Sequence, residues 1–444
     1  MKCITLHLAQ GSPHAPMVQH LVESYAQWWG IALQVEVGVA ANWKLVGVNS
    51  LHIAADSQAL IPDRIAFVSA RCGGVLTQLP FPHNGFSPPV ESGALPETLP
   101  EDLLAFLCGQ LWRAEELLPA LQNRATEADH RGFLGERFAF FDKPIVDLWM
   151  RCLFEAVLGV VLEPAGKPRF WLTFDVDCLR KWRTLGVFKH IALLPKYVLQ
   201  KKRSLWFSLI FQALRSWSPR NDPWFTIPRM LDASSALQAT FFFMGHPRDH
   251  RAYRYDVRSE VNANAVRRVL ESRHLVGLHG SPLHRNSPVK LSREKEVLEG
   301  VAQTSVRLHR QHYLSIVPGK TLRSLDAIGI TLDSTMGFNG RTGFRCGSCI
   351  PIRWWDLQQN HALALVELPF VLGDWTLHDP LHFDVGTSLH KIQELLAQVQ
   401  LAGGILTMIF HDLYFASDYP GHAEFFAQVL RMLAQQDCQA WSPE

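Results

Sequence analysis

The chain has 444 residues, of which 48% are hydrophobic and 19% are charged, and its 43 Lys and Arg nearly balance its 41 Asp and Glu. This length is typical of two domains, or of one large domain with an added segment. A near-balanced charge argues against a protein that binds nucleic acid through bulk electrostatics, so we expect no nucleic-acid partner.

The start of the chain, MKCITLHLAQGSPHAPMV, lacks the uninterrupted apolar stretch of a secretory signal. The chain contains no run of about 18 apolar residues, so no transmembrane helix is predicted. Eight cysteines scattered over so long a chain favour free thiols. We therefore expect a cytoplasmic protein.

The first 165 residues alternate short apolar strands with amphipathic helices, which predicts a smaller α/β domain of unknown role. The pattern predicts strands at 3–9, 33–40 and 43–54, and helices at 16–29 and 101–118. A polar stretch with two prolines, LEPAGKPR (162–169), indicates a boundary. A second domain would then span 166–444.

From residue 170 onward, strands alternate with helices, and several strands end in Asp, His or Arg. This order is typical of an α/β parallel barrel whose chemistry lies at the carboxyl ends of the strands. The predicted strands lie at 169–177, 238–245, 275–280, 329–335, 364–372 and 403–412, and the predicted helices at 262–273 and 293–312.

Five polar residues at these strand ends form the candidate site. The stretch WLTFDVDC (171–178) ends an apolar strand in Asp175 and Asp177, and residues two apart on a strand face the same side. His279, Arg345 and His411 follow other predicted strands. Carboxylate and imidazole together suit zinc or a similar divalent ion, which would hold one carboxylate ionised while the other acts as a base.

The motifs that carry these residues resemble those of the polysaccharide deacetylases of carbohydrate esterase family 4. The likeness is closest to a bacterial subgroup with an extra N-terminal domain. It implies a distorted (β/α) barrel of about seven strands. The matching stretches are TFDVD (173–177), ATFFFMG (239–245), VGLHGS (276–281), GFR (343–345) before CGSCIP, LPFVLGDW (368–375) and IFHD (409–412).

The resemblance implies a metal-dependent hydrolase that removes an N-acetyl group from an amino sugar of a surface polysaccharide or its precursor, with zinc as the expected ion. Asp175 would be the general base, oriented by Arg345, and His411 would be the general acid. Asp177 and His279 would bind the metal. A lipid-linked form of the sugar is one option for the substrate.

Three further site residues follow from the same resemblance. The family often spaces its two metal histidines four apart, but the residue four after His279 is Leu283, and His284 comes one later. The third ligand is therefore either His284 or water. Trp375 would close the acetyl pocket. Asp374 would either steady a catalytic group or serve as a turn residue.

Residues 186–217 form an insertion with a basic KKR (201–203) followed by LWFSLIFQALRSW (205–217). A short basic and aromatic helix of this kind can lie in a membrane interface. We favour a lid or an inter-domain packing helix, in which Trp206, Phe207 and Phe211 would form an apolar wall. The membrane contact through 205–217 stays open as the alternative.

The pair Cys346 and Cys349 in CGSC could be a redox pair or half of a zinc site. Because no second CxxC exists in the chain, we favour a packing role, with a regulatory disulfide as the alternative. Two other functions also stay open. One is hydrolysis of a non-sugar amide, and the other is a binding or scaffold protein of polysaccharide biosynthesis whose site has degenerated.

Overall fold

The computed structural model of the protein describes residues 2–9, 14–38, 42–47, 50–54, 65–72, 75–82, 98–99, 103–118, 121, 130–164, 166–181, 211, 213–214, 216, 218, 221–245, 255–377 and 384–443. The chain forms two compact units, each built from two segments. The first comprises Met1–Phe170 and Tyr313–Thr407, and the second comprises Trp171–His312 and Met408–Glu444. The domain division at residue 165 stays a prediction.

The α-helices, in chain order, are α1 (Ala15–Trp28), α2 (Leu103–Leu111), α3 (Leu134–Arg137), α4 (Ile145–Leu158), α5 (Ile227–Ala233), α6 (Glu260–Glu271), α7 (Pro288–Ala302), α8 (Pro318–Ala327), α9 (Val385–Ala402) and α10 (His422–Gln435). The strands are β1 (Cys3–Ala9), β2 (Ala32–Gly38), β3 (Asn42–Val46), β4 (Ser50–Ala54), β5 (Ile65–Cys72), β6 (Val75–Pro82), β7 (Thr98–Leu99), β8 (Arg169–Val176), β9 (Thr240–Met244), β10 (Leu275–Gly280), β11 (Leu308–Gln311), β12 (Leu332–Asp333), β13 (Ile352–Asp356), β14 (His361–Glu367), β15 (Leu372–Gly373), β16 (Ile405–His411) and β17 (Gln439–Ala440). The fold is mixed α/β and rich in parallel strands, as the sequence predicts. Closure of the strands into a barrel stays a prediction.

The first unit contains a five-stranded sheet in the order β2-β1-β3-β4-β7. β1 pairs in parallel with β2 and antiparallel with β3, and β5 forms an antiparallel hairpin with β6. In its second segment, β14 pairs antiparallel with β13 and in parallel with β12. The strands predicted at 3–9 and 33–40 and the helix predicted at 16–29 are present within two residues of their expected bounds. The stretch 43–54 forms two antiparallel strands, β3 and β4, and the helix predicted at 101–118 ends at Leu111.

The second unit is organised around strands in the order β11-β10-β9-β8-β16, with β17 paired to β8. β8, β9, β10 and β11 run parallel to one another. β9 is buried throughout and β8 is buried from its second residue onward, and most of their side chains are apolar, as expected for parallel strands covered on both faces. Because α6 and α7 return the chain between these strands, the carboxyl ends of the strands lie at one edge.

The predicted helix 293–312 is wrong in its second half. Helix α7 ends at Ala302, where Gln303 adopts a left-handed conformation with a φ of 54°, and the chain then enters strand β11. A left-handed residue stops helix propagation, because its backbone N–H and C=O leave the helical path. The consequence is that residues 310–312 lie at a strand end rather than on a helix.

Most of the predicted insertion 186–217 lies outside the described residues, including Trp206 and Phe207. Within it, Phe211 and Leu214 are 61% and 68% exposed. None of the described helices combines the length and the apolar character needed to cross a bilayer. The lid and the membrane contact both stay predictions.

Candidate active site

The candidate site lies at the carboxyl ends of β8, β10, β11 and β16, within the second unit. Asp175 is in β8 and Asp177 follows its end, while His279 lies in β10 opposite Arg310 of β11 in the parallel register. His411 is the last residue of β16. Parallel pairing brings the ends of β8, β10 and β11 to one edge. His411 lies beside them, with its Nε2 3.9 Å from Asp177 Oδ2.

Three side chains there form a group suited to a metal ion, namely Asp177, His279 and His312. One ligand atom from each lies within 4.8 Å of the other two. His279 Nε2 is 3.2 Å from Asp177 Oδ1, and His312 Nε2 is 3.6 Å from the same oxygen. Ligands about 2 Å from a tetrahedral zinc ion lie at about this separation from one another.

The hydrogen bonding of His279 directs its second ring nitrogen toward Asp177. Its Nδ1 lies 3.0 Å from the Arg310 carbonyl oxygen, which can only accept, so Nδ1 carries a proton and the neutral form of the ring presents a lone pair at Nε2. Among the described residues, both Nε2 of His279 and Oδ1 of Asp177 are buried without a hydrogen-bond partner. With the ring neutral, the two facing lone pairs repel each other unless a positive charge lies between them, and a divalent ion would supply that charge.

Asp177 has the charge state that a metal ligand needs. Burial alone would raise the pKa of its carboxyl group, but His312, His279 and His411 outweigh burial and hold that pKa well below its usual range. The carboxylate is therefore ionised across the physiological pH range.

Asp175 forms an ion pair with Arg310. Arg310 Nη1 donates to Asp175 Oδ1 at 2.9 Å and to Thr173 Oγ1 at 2.7 Å, and the guanidinium carbon lies 4.4 Å from the centre of the Phe242 ring. Both charged side chains are almost fully buried. The positive charge of Arg310 thus compensates a carboxylate that burial would otherwise make costly.

The predicted pairing of Arg345 with Asp175 is wrong. Arg345 belongs to the first unit, where its Nε and Nη2 bind the two carboxylate oxygens of Glu116 at 2.8 and 2.7 Å. Glu116 also binds Arg113, and all three side chains are fully buried. A bidentate pair of this kind uses one N–H edge of the planar guanidinium. The contact to Asp175 comes from Arg310 instead.

His284 does not join the three-residue group. It lies in the turn after β10, and its Nδ1 contacts Oε1 of Glu294, a buried residue of α7. The other oxygen of Glu294 accepts the backbone N–H of Ser281 at 2.9 Å, which fixes the carboxylate in place. The second imidazole of the group is that of His312.

His411 lies at the more open side of the site. Its Nε2 is 3.9 Å from Asp177 Oδ2, and its side chain is 19% exposed. The ring of Tyr414 approaches it edge-on, with 6.1 Å between the ring centres. This position gives an acid or base access both to the buried carboxylates and to a ligand arriving from solvent.

Asp374 and Trp375 lie in the first unit. Asp374 is buried, and its Oδ1 accepts the backbone N–H of Trp375 at 2.9 Å. The indole N–H of Trp375 donates to the carbonyl oxygen of Asn339 at 2.7 Å. Their roles at an acetyl pocket stay predictions.

Cys346 and Cys349 are buried free thiols. Cys349 Sγ donates to Asp147 Oδ2 at 3.2 Å, and burial, followed by the negative Asp147, raises the pKa of the Cys349 thiol well above its usual range. A thiol of this kind is unreactive and matches the packing role that the sequence favours.

The sequence pattern predicts a helix over Arg310 and His312 and so does not identify them as site residues. The spacing of the two residues was a usable signal. Arg310 and His312 are two residues apart at a strand end, as are Asp175 and Asp177. A strand assignment for 308–311 would have placed both side chains on the face that holds the aspartates.

Comparison with known proteins identifies similarity only among solved structures. No protein-family model and no curated protein matches the chain. A protein named as a polysaccharide deacetylase from Mycobacterium smegmatis is 19% identical over 63% of this chain and 87% of its own, with a TM-score of 0.40. A family 4 carbohydrate esterase from Streptomyces lividans, in complex with acetate, is 13% identical over 63% and 95%, with a TM-score of 0.32. A family 4 pseudoenzyme from Bacillus anthracis is 10% identical over 65% and 68%, with a TM-score of 0.33.

Proposed function

We propose that this protein is a metal-dependent N-deacetylase that acts on an acetylated amino sugar of a polysaccharide or its precursor. The observation that carries the proposal is the arrangement around Asp177. The site combines a candidate metal group, a carboxylate paired with a buried arginine, and a partly exposed histidine. His279 lies 3.2 Å from Asp177 and 3.9 Å from Asp175, and His411 lies 3.9 Å from Asp177.

Asp177, His279 and His312 would hold the ion, and zinc suits one carboxylate and two imidazoles. A bound divalent ion supplies Lewis acidity, which polarises an amide carbonyl and makes a nearby water more acidic. The backbone carbonyl of Arg310 holds His279 in the tautomer that presents Nε2 to the ion.

The two remaining groups would move protons. Asp175 Oδ2 lies 3.9 Å from His279 Nε2, so its carboxylate is placed to accept the proton of an attacking water beside the ion. Arg310 balances the buried charge of that base. His411 would donate a proton to the nitrogen of the leaving amine, because an unprotonated amine is a poor leaving group.

The test has two parts that can fail separately. Purified protein is first assayed for bound metal by mass spectrometry, and is then screened for acetate release from N-acetyl sugar nucleotides, oligosaccharides and lipid-linked sugars. We expect one zinc per chain and acetate release from one of these classes. The variant Asp175→Asn serves as the matched negative control, because it keeps the proposed ligands.

Metal without acetate release from any sugar would overturn the sugar substrate and favour a non-sugar amide. Absence of both metal and activity, including after zinc is added back, would overturn the enzyme and favour a binding or scaffold role.

A further inference from the structure

The turn that carries Asp177 is held by two buried side chains that the proposed chemistry does not use. They are Asp412, which directly follows His411, and Tyr255, which precedes helix α6. Asp412 is fully buried and Tyr255 is 6% exposed. Burial of both polar groups next to a cluster of charges needs a reason, because each must be matched by hydrogen bonds to remain there.

Asp412 binds two successive backbone amides. The N–H of Asp177 donates to its Oδ1 at 3.2 Å, and the N–H of Cys178 donates to its Oδ2 at 2.9 Å. Only a carboxylate offers two coplanar acceptor oxygens for such a pair, since an amide side chain would point an NH2 group at one of the donors.

Tyr255 binds the carbonyl side of the same peptide group whose N–H belongs to Asp177. Its hydroxyl donates to the carbonyl oxygen of Val176 at 2.8 Å and accepts the backbone N–H of Met244 at 2.8 Å. The carbonyl of residue 176 and the N–H groups of residues 177 and 178 are therefore all fixed by side chains.

We propose that Asp412 and Tyr255 are positioning residues that hold the carboxylate of Asp177 in place for metal binding. The proposal rests on the proposed function, because it assigns the metal to Asp177, His279 and His312. Asp412 also joins the turn of Asp177 to the segment that carries His411, since it is the next residue. The same hydrogen bonds thus set the 3.9 Å separation between Asp177 Oδ2 and His411 Nε2.

A control variant that alters a comparably buried polar side chain distinguishes a purely structural role from a positioning role. The variants Asp412→Asn and Tyr255→Phe are compared with Ser234→Ala, which removes a fully buried hydroxyl that donates to the Met230 carbonyl at 2.7 Å in the same unit. The full chain is used throughout. Zinc affinity is measured by competition with a chromophoric chelator, and the amide exchange of peptides covering 176–178 by mass spectrometry.

We expect Asp412→Asn to weaken zinc binding about 10- to 100-fold, the usual effect of losing a group that orients a ligand. Tyr255→Phe should weaken it by a smaller factor, and both should speed amide exchange at 176–178. Ser234→Ala should leave zinc affinity unchanged, even where it lowers the melting temperature as much. If Asp412→Asn does not fold, Tyr255→Phe decides the question alone.

Unchanged amide exchange in the two variants would overturn the proposal whether or not metal binds. Faster exchange with unchanged zinc affinity would also overturn it, since the hydrogen bonds would then serve the fold alone. If the unaltered protein binds no zinc, the proposed function fails, while faster exchange in the variants would still support the restraint of the turn.

Discussion

The ion pair between Asp175 and Arg310 should be detectable as a coupling energy in the stability of the protein. At the observed N–O distance of 2.9 Å, two unit charges attract by about 6 kcal/mol at an effective dielectric constant of about 20. Desolvation of both groups offsets much of this attraction. Removing one partner of a buried pair nevertheless costs about 3–5 kcal/mol, because the remaining charge is left uncompensated.

We therefore expect Arg310→Met to lower the free energy of unfolding by about 3–5 kcal/mol. The double variant Asp175→Asn with Arg310→Met should be more stable than the sum of the two single changes predicts, by about 2–3 kcal/mol, because a neutral amide needs no counter-ion. Urea unfolding of all four proteins at pH 7, with a chelator present, gives this coupling. Additive effects, within about 0.5 kcal/mol, would refute the pairing.

Arg345 provides the matched control for this cycle. Arg345→Met should also be strongly destabilising, because it leaves the fully buried Glu116 with one guanidinium fewer. Its effect should add to that of Asp175→Asn, since Arg345 binds Glu116. If the coupling energy between Arg345 and Asp175 were as large as that between Arg310 and Asp175, the prediction that Arg345 pairs with Asp175 would be restored.

Three further predictions concern metal binding, catalysis and pH. His312→Ala should weaken zinc binding at least about 10-fold, whereas His284→Ala should not, as read by competition with a chelator. Asp175→Asn should keep zinc affinity but lower the rate of acetate release by about 100-fold or more, and near-normal turnover would exclude it as the base. Burial raises the pKa of Asp147 from 3.8 to about 6, against hydrogen bonds from Tyr25, Ser348 and Cys349. The unfolded chain loses the Asp147 proton at a lower pH than the folded protein does. The stability that this carboxyl group contributes is therefore complete below about pH 4 and is lost as pH rises through about 6. Relative to Asp147→Asn, the protein should lose about 3 kcal/mol across this range in urea unfolding.

The sequence was sufficient to place part of the site. Asp175, Asp177, His279 and His411 each follow a run of apolar residues typical of a buried strand, and the structure brings all four together. This works because a parallel strand buried on both faces is nearly uniform in hydrophobicity, so the first polar residues mark its end.

Strand β11 shows where this reasoning ends. Its sequence, Leu-His-Arg-Gln, is mostly polar, yet all four residues are buried. Burial of this kind is stable only because other strands supply partners such as Asp175, which lies 135 positions away in sequence from Arg310. The local spacing of apolar residues contains no information on such distant partners. For this reason the sequence predicts that the preceding helix continues across the strand.

The prediction for the partner of Arg345 was wrong for a related reason. Its motif predicts a buried arginine, and the arginine is buried, but its partner Glu116 is 229 positions away in the chain. A motif specifies the residue type and its surroundings in the chain. It does not specify which of several distant carboxylates the guanidinium will meet.

One residue of β11 has two separable duties. The side chain of Arg310 compensates Asp175, while its backbone carbonyl orients His279. A mutation can remove the side chain but not the carbonyl, so the proposed base could lose its counter-charge while the ligand keeps its tautomer. If the protein has the proposed function, a descendant that lost the Arg310 side chain would lose hydrolysis in a single step while its metal ligands stayed in place. Metal bound by a homologue would then not show that the homologue is catalytic. The residue at the position of Arg310 would be the better indicator.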